Sequence, residues 1–455
     1  MLKLKLSDVA LWTHGTLRGG DAPVHSVAID TRQLKADDLF VALPGEHSDG
    51  HDHLDAAQAA GATAALVSRW IDVDLAQIKV PDTLLALGDL ASAVRAQQHA
   101  RVIGITGSNG KTTVKSLAAA ILARHGRTHV SQGNHNNEIG VPLTLLAMPE
   151  DTQYAVIEMG AGKPGDIDYL AAMARPDIGL ITNIASAHLG RMGSIDMIAE
   201  TKGAMLRALP ADCVAVIPAD DAFAAYFTGL AGSRKLLRFG FAANADVSAD
   251  AVQLDVSGSR FVLRTPSGRI DVALPLSGRH NVINALAAAA VAEALSVPLT
   301  TIAEALHHAQ AVGGRQCAQV TAGGWTVIDD SYNANPASLA AGLASLALHP
   351  GERWLVLGDM AELGADEARL HGEAGEHARQ AGIEHLFAVG PLSANAVVAF
   401  GTGAEHFADQ GALITALRAR LHAGVVCLVK GSRSAGMEHV VAGLGGNTGE
   451  STHAV

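Results

Sequence analysis

An apolar run at 102–106 leads directly into Gly107, Ser108, Asn109, Gly110, Lys111, Thr112 and Thr113, and no other stretch constrains the chain as much. A buried strand that feeds a glycine loop and then a helix wraps backbone amides around a phosphate, and the helix dipole adds to the attraction. In that arrangement Lys111 reaches the β- and γ-phosphates and the Thr112 hydroxyl addresses Mg²⁺. Thr106 ends the strand. The strict P-loop spacing is not kept, because Ile105 takes the place of the first glycine, with Gly104 and Gly107 on either side. An ordinary glycine turn is the competing reading, and the strand before it and helix after it argue against that.

A loop of this kind requires a parallel sheet around it, and the flanking pattern supplies one. From Arg101 onward, apolar runs alternate with helical segments, as in a doubly wound α/β sheet. The expected strands are 102–106, 154–158, 178–182 and 214–217. Before them, strands at 26–29, 39–42 and 64–67 with a helix at 54–60 make a small α/β unit, and a helix at 84–100 acts as connector. Between 245 and 276 the alternation has period two, with a hairpin turn at Pro266, Ser267 and Gly268, so an antiparallel insert is expected. An alanine-rich helix at 281–294 and a shorter one to about 310 precede a hinge at Gly313 and Gly314. Strands at 325–328, 354–357, 386–389 and 425–429 then give a second parallel, Rossmann-like sheet, and the tail from Gly443 is expected to fray. At roughly 150 residues per domain, the 455 residues divide into three α/β domains, at 1–83, 84–312 and 313–455.

Composition narrows the function. The 33 Lys+Arg against 45 Asp+Glu leave a net charge of −12, the wrong sign for a nucleic-acid binder. Aromatic residues are 4% of the chain, too few for base-stacking platforms. Cys213, Cys317 and Cys427 are distant and odd in number, which suggests neither a disulfide framework nor a zinc cluster. No apolar run approaches the length of a membrane span, and no signal segment opens the chain. The expectation is a soluble, cytoplasmic, monomeric protein with small-molecule partners, no nucleic acid and no membrane insertion.

Open α/β sheets bind ligands at the carboxyl ends of their strands. Glu158 closes one such run ahead of Gly160 and Gly162, where a carboxylate can hold Mg²⁺. His188 follows Thr182 and Asn183, but Mg²⁺ prefers oxygen, so alone it reads as a satisfied histidine. Lys202, within Ala199 to Gly203, reads by itself as a solvated helix lysine. Asn134, Asn136 and Asn137 precede Ile139 and Gly140 and are placed to address a phosphate or carboxylate.

With these residues together, the chain resembles the Mur ligase family, ATP-dependent amide-forming enzymes of peptidoglycan precursor synthesis. The resemblance covers nearly the whole chain. It rests on Thr106 to Thr113, the strand ending at Glu158, the segment Thr182 to Leu189 with His188, the segment with Thr201, Lys202 and Gly203, and the run from Arg279 to Ala290. More particular to one member are Asp329 to Pro336, Gly358 to Gly364 and Lys430 to Ser434. The resemblance in those segments implies joining of D-alanyl-D-alanine to a UDP-N-acetylmuramoyl-tripeptide.

The resemblance implies ATP, two Mg²⁺ ions and a carbamylated Lys202. It makes Thr112, Glu158, His188 and Lys202 the metal ligands, and adds Lys111 and Arg315 to Glu158, His188 and Lys202 as catalytic groups. Asn281, Asn284, Arg315 and Asp330 would contact ATP with the loop from Thr106 to Thr113. Ser26, Asp30, Thr31, Arg32, Asp49, Gly50 and His51 match the part that holds the UDP end, while Asn137, Tyr332, Asn333 and Asn335 face the other substrates. Gly162 stands where this subgroup usually has asparagine, and Gly190 and Met192 where glutamate and phenylalanine are common. A sister ligase adding another amino acid is the nearest alternative, and a P-loop switch ATPase the more distant one.

Overall fold

A computed structural model describes residues 4–45, 48–186 and 189–445. The N-terminal unit is a five-stranded sheet in the order Thr16–Arg18, Ala76–Lys79, Ala64–Val67, Asp38–Val41, Ser26–Ala28. Its first strand runs antiparallel to its neighbour and the others pair in parallel. Asp38–Val41 and Ala64–Val67 are buried at every position, as the two-faced interior strands of such a sheet must be.

The helix Thr83–Ala96 starts where the Asp82 carboxylate accepts from the backbone N–H groups of Leu84 and Leu85. Its buried Leu87, Leu90, Ala91 and Val94 share one apolar core with Leu39 and Leu66 on one side and with Val102, Ile157 and Leu170 on the other. The connector is therefore packed into both units.

Six parallel strands make the middle sheet, in the order Lys235–Phe239, Val214–Pro218, Ile178–Ile181, Arg101–Thr106, Tyr154–Glu158, Thr128–Val130. The four strands expected from sequence are all present. The two edge strands were missed because their residues are half-exposed and short of an apolar run. One face carries the helices Lys111–Ala123 and Arg279–Ala294, which pack on each other. Positions Ala285 to Ala292 of the second helix are buried all round, which only small side chains allow at so close an approach. Ala288→Leu, with no free side to grow into, is expected to cost about 1–3 kcal/mol. A lower urea midpoint would show it, and an unchanged midpoint would mean slack in this core. Against the same helix lies the antiparallel insert, Ser248–Asp255, Gly258–Thr265 and Gly268–Leu274, with its second turn where Pro266, Ser267 and Gly268 placed it.

The C-terminal sheet has the order Cys317–Val320, Thr326–Asp330, Val425–Lys430, Glu352–Gly358, His385–Val389, Ala404–Phe407. It is mostly parallel rather than wholly so. A tight turn, in which Thr321 and Trp325 bond through their backbones, folds Cys317–Val320 back antiparallel onto Thr326–Asp330. All three cysteines are free thiols. No helix of the described residues is long and apolar enough to cross a membrane. Of the tail expected to fray, residues 446–455 lie outside the described residues.

Candidate active site

The order of the middle sheet reverses around Arg101–Thr106, and its carboxyl end opens the crevice where α/β sheets take ligands. Gly107 and Gly110 have φ of +147° and +80°, conformations that L side chains rarely adopt. The next strand's exit holds the loop in place. Ser108 N–H donates to Asn183 O (2.9 Å), Asn109 N–H to Asn183 Oδ1 (3.0 Å), and Thr182 Oγ1 to Asn109 O (2.6 Å). A β-carbon at Gly107 would fall onto Thr182 Oγ1, so Gly107→Ala is expected to abolish ADP binding, read by calorimetry; retained affinity would mean the loop yields. Helix Lys111–Ala123 follows with no side chain capping its first turn, leaving its amides to a ligand. Lys111 Nζ lies back over the loop and donates to Gly107 O (2.8 Å).

Beneath the loop, charged groups are buried together. Glu158 is 2% exposed; Asn136 Nδ2 donates to its Oε1 (2.8 Å), and the Lys115 ammonium lies 3.2 Å from Oε2. Burial pushes this carboxyl up, but Lys115, Lys111 and Arg315 outweigh that and hold it below its ordinary value. Lys115 also donates to Gly133 O (2.7 Å), tying the carboxylate to the asparagine-bearing loop. Lys202 is equally hidden at 2% exposure, and among the described residues no carboxylate pairs with it. Burial, with Lys111 nearby, brings its ammonium down to about 7. The sequence reading of a solvated lysine is corrected: the buried face of Ile195–Arg207 carries it inward.

The C-terminal unit closes the crevice. Arg315 Nη2 donates to Thr112 Oγ1 (2.9 Å), and its guanidinium stacks on Tyr332 at 4.3 Å. Asn335 Nδ2 donates to Asn109 Oδ1 (2.7 Å). Asp330 accepts from Lys430 Nζ at 2.6 Å. Farther out, Gly190 N–H donates to Glu362 O (3.0 Å) and Arg191 pairs with the Glu362 carboxylate (3.1 Å). A β-carbon at position 190 would sit 3.3 Å from Gly364 N, a tight contact between the two segments.

The result is a cleft of about 1040 Å³ between the two units. Of the residues expected from sequence, it gathers Ser108 to Thr113, Asn137, Glu158, Asn281, Asn284, Arg315, Asp330, Tyr332, Asn333 and Asn335. His188 lies outside the described residues. Asn183, His280, Arg191, Glu362 and Lys430 also line the cleft and were not assigned from sequence. Burial, with Lys430 beside it, brings His280 down to about 4, so its imidazole is neutral at pH 7.

Of the N-terminal set, Ser26 opens the strand Ser26–Ala28, while the others lie beyond strand ends. Asp30 to Arg32 follow the strand Ser26–Ala28, and Asp49 to His51 follow Asp38–Val41, so both groups stand at the carboxyl ends of parallel strands. Asp30 and Arg32 pair at 2.7 Å. His51 Nε2 accepts from Ser68 N–H (2.8 Å), so its Nδ1 carries the proton and donates to Asp49 (2.6 Å). Arg69, unremarked in the sequence, donates to the other Asp49 oxygen (2.9 Å). The His51 backbone N–H, then its ring and Arg69, hold the Asp49 carboxyl far below the usual range.

A glycine loop at a sheet's switch point, covered by an arginine from a second α/β unit, defines an enzyme that handles a nucleotide phosphate between domains. Three family models match in succession: "Mur ligase family, catalytic domain" at residues 23–95, "Mur ligase middle domain" at 105–292 and "Mur ligase, glutamate ligase domain" at 315–433. The chain belongs to the Mur ligase family. It is 45% identical to the UDP-N-acetylmuramoyl-tripeptide--D-alanyl-D-alanine ligase of Escherichia coli, over 98% of this chain and 99% of that one. A crystal structure of MurF from Acinetobacter baumannii superposes with a TM-score of 0.92 at 35% identity, covering 98% and 99% of the two chains. MurF ligase from Thermotoga maritima, solved in complex with ADP, superposes at 0.84 with 26% identity, covering 92% and 97%.

Proposed function

We propose that this chain is an ATP-dependent, ADP-forming ligase that joins D-alanyl-D-alanine to the terminal carboxylate of UDP-N-acetylmuramoyl-tripeptide, in peptidoglycan precursor synthesis. The observation that carries the reading is the convergence of Lys111 and Thr112 with Arg315 of the C-terminal unit over buried Glu158. The full-length likeness to ligases of that name supplies the substrates.

In the reading, a carboxylate oxygen of the tripeptide attacks the γ-phosphorus, ADP leaves, and an acyl phosphate remains. The free amine of the dipeptide attacks the acyl carbon, phosphate departs with that oxygen and takes up the proton the nitrogen loses, and the amide is left. Two anions meet in the first step. Lys111 and Arg315 offset their repulsion, and preorganised charge is worth several kcal/mol per group. Holding amine and acyl group together contributes about 7 kcal/mol or more. The middle and C-terminal units, meeting at Arg315–Thr112 and Asn335–Asn109, keep water from the labile intermediate.

The donors suit Mg²⁺, a hard cation that takes oxygen ligands. Among the described residues no group of three or more His, Cys, Asp or Glu side chains stands ready for a metal. We assign the Thr112 hydroxyl, the Glu158 carboxylate and a carbamate on Lys202, with His188 beyond the described residues. When bound, Mg²⁺ would supply further neutralisation of the phosphates. A lysine near pKa 7 is partly neutral at pH 7, and its free amine adds to CO₂ with loss of a proton, turning a cation into a carboxylate-like anion.

The assigned division of labour is 1–83 for the UDP end through Ser26, Asp30, Thr31, Arg32, Asp49, Gly50 and His51; 84–312 for ATP; and 313–455 for the dipeptide. Tyr332, Asn333 and Asn335 serve the substrates from the last of these, with Asn137 opposite. Asn281, Asn284 and Asp330 contact ATP in this assignment. We place the enzyme in the cytoplasm as a monomer acting on small molecules, with no nucleic acid partner. A panel of UDP-muramoyl peptides and amines tests it: ADP release is expected with the tripeptide and D-alanyl-D-alanine together. Equal release without the dipeptide, or with any single amino acid, would contradict it.

A further inference from the structure

We infer that Lys430 is a positioning residue for the nucleotide, acting through Asp330 and the loop 331–335 on the glycine loop of the middle unit. The inference rests on the ATP reading above.

Lys430 ends the strand Val425–Lys430 directly opposite Asp330, the last residue of the neighbouring strand. It is 2% exposed, and its Nζ makes two contacts, to Asp330 Oδ2 (2.6 Å) and to Asn333 O (3.0 Å). Both ends of the turn 330–333 are therefore held by one ammonium. Beyond that turn, Asn335 caps the helix Pro336–Leu346 by accepting from Ser338 N–H (2.9 Å), so the loop is fixed at its far end too. Two groups that meet the phosphate-binding elements hang on this loop. Tyr332 supplies the face on which Arg315 stacks, and Asn335 bridges to Asn109 in the glycine loop.

A buried lysine is costly unless its charge is matched, and removing one partner of such a pair strands the other. Burial pushes the Asp330 carboxyl up, and Lys430 is the foremost group holding it down, ahead of Arg315. Without Lys430, Asp330 takes a proton or turns to Arg315, whose guanidinium now serves Thr112. Either response moves the groups that cover the phosphates, although Lys430 need never touch the ligand.

Calorimetric ADP binding to the full chain tests this. Lys430→Met is expected to weaken ADP by about tenfold or more, with the loss in turnover falling on KM for ATP rather than kcat. In an Asp330→Asn background the same change should cost less than about threefold, because it acts through that carboxylate. A tenfold loss in both backgrounds, or unchanged ADP affinity with only a lower ligand-free Tm, would overturn the inference. If Lys430→Met does not fold, the double variant, which leaves no unpaired buried charge, is compared with Asp330→Asn alone; equal affinity supports the inference and a further loss rejects it. Wild-type protein that failed to bind ADP would instead overturn the ATP reading.

Discussion

Lys202→Ala is expected to slow ADP formation by about 100-fold or more, and acetate or propionate in the buffer to restore part of the rate. The truncated side chain leaves a cavity in the buried face of Ile195–Arg207 that a small carboxylate fits, supplying the anion a carbamate would. Unimpaired turnover would remove Lys202 from the mechanism. Stability should move the other way. In the unfolded chain the amine titrates near its ordinary 10.5, and in the fold at about 7. The unfolded state therefore binds more protons between those values, and the native state gains stability as pH rises from about 7 to 10.5. In CO₂-free buffer, where the amine is unmodified, Lys202→Met, similar in volume and uncharged, should raise the urea midpoint at pH 7 and lose that advantage above pH 10.5. A lower midpoint at pH 7 would mean that a partner already neutralises Lys202.

The second large effect is expected at Lys111. Burial pushes its ammonium down, Glu158 draws it back up, and its hydrogen bonds go to the carbonyls of Gly107 and Ser108. The charge is thus held at the glycine loop rather than spent in a tight pair. Lys111→Met should lower kcat/KM for ATP by about 100- to 1000-fold, with Tm changed little because no buried partner is stranded. Turnover within threefold of wild type would separate the loop from phosphate chemistry.

Much of this was legible in the sequence, for physical reasons. Interior parallel strands are apolar on both faces, so the runs at Arg101–Thr106, Tyr154–Glu158 and Ile178–Ile181 announce themselves. Edge strands such as Thr128–Val130 and Ala404–Phe407 bury only part of their surface and carry no such run. The glycine loop was legible because its φ values demand glycine. Lys115 and Arg69 were not, and Lys430 stood out only as part of a motif without a role, since each acquires meaning from a partner far along the chain: Glu158, Asp49 and Asp330. Lys202 was legible only through family resemblance, as spacing alone makes it a solvated lysine. The motif from Gly358 to Gly364 likewise had no role until Glu362 met Gly190 and Arg191 across the cleft.

Oxygen transfer distinguishes ATP activation of a substrate carboxylate from activation of water. UDP-N-acetylmuramoyl-tripeptide labelled with ¹⁸O in its terminal carboxylate is turned over with ATP and D-alanyl-D-alanine, and the released phosphate is weighed by mass spectrometry. One labelled oxygen is expected in each phosphate, carried over from the acyl phosphate. Phosphate that takes its new oxygen from solvent would contradict carboxylate activation.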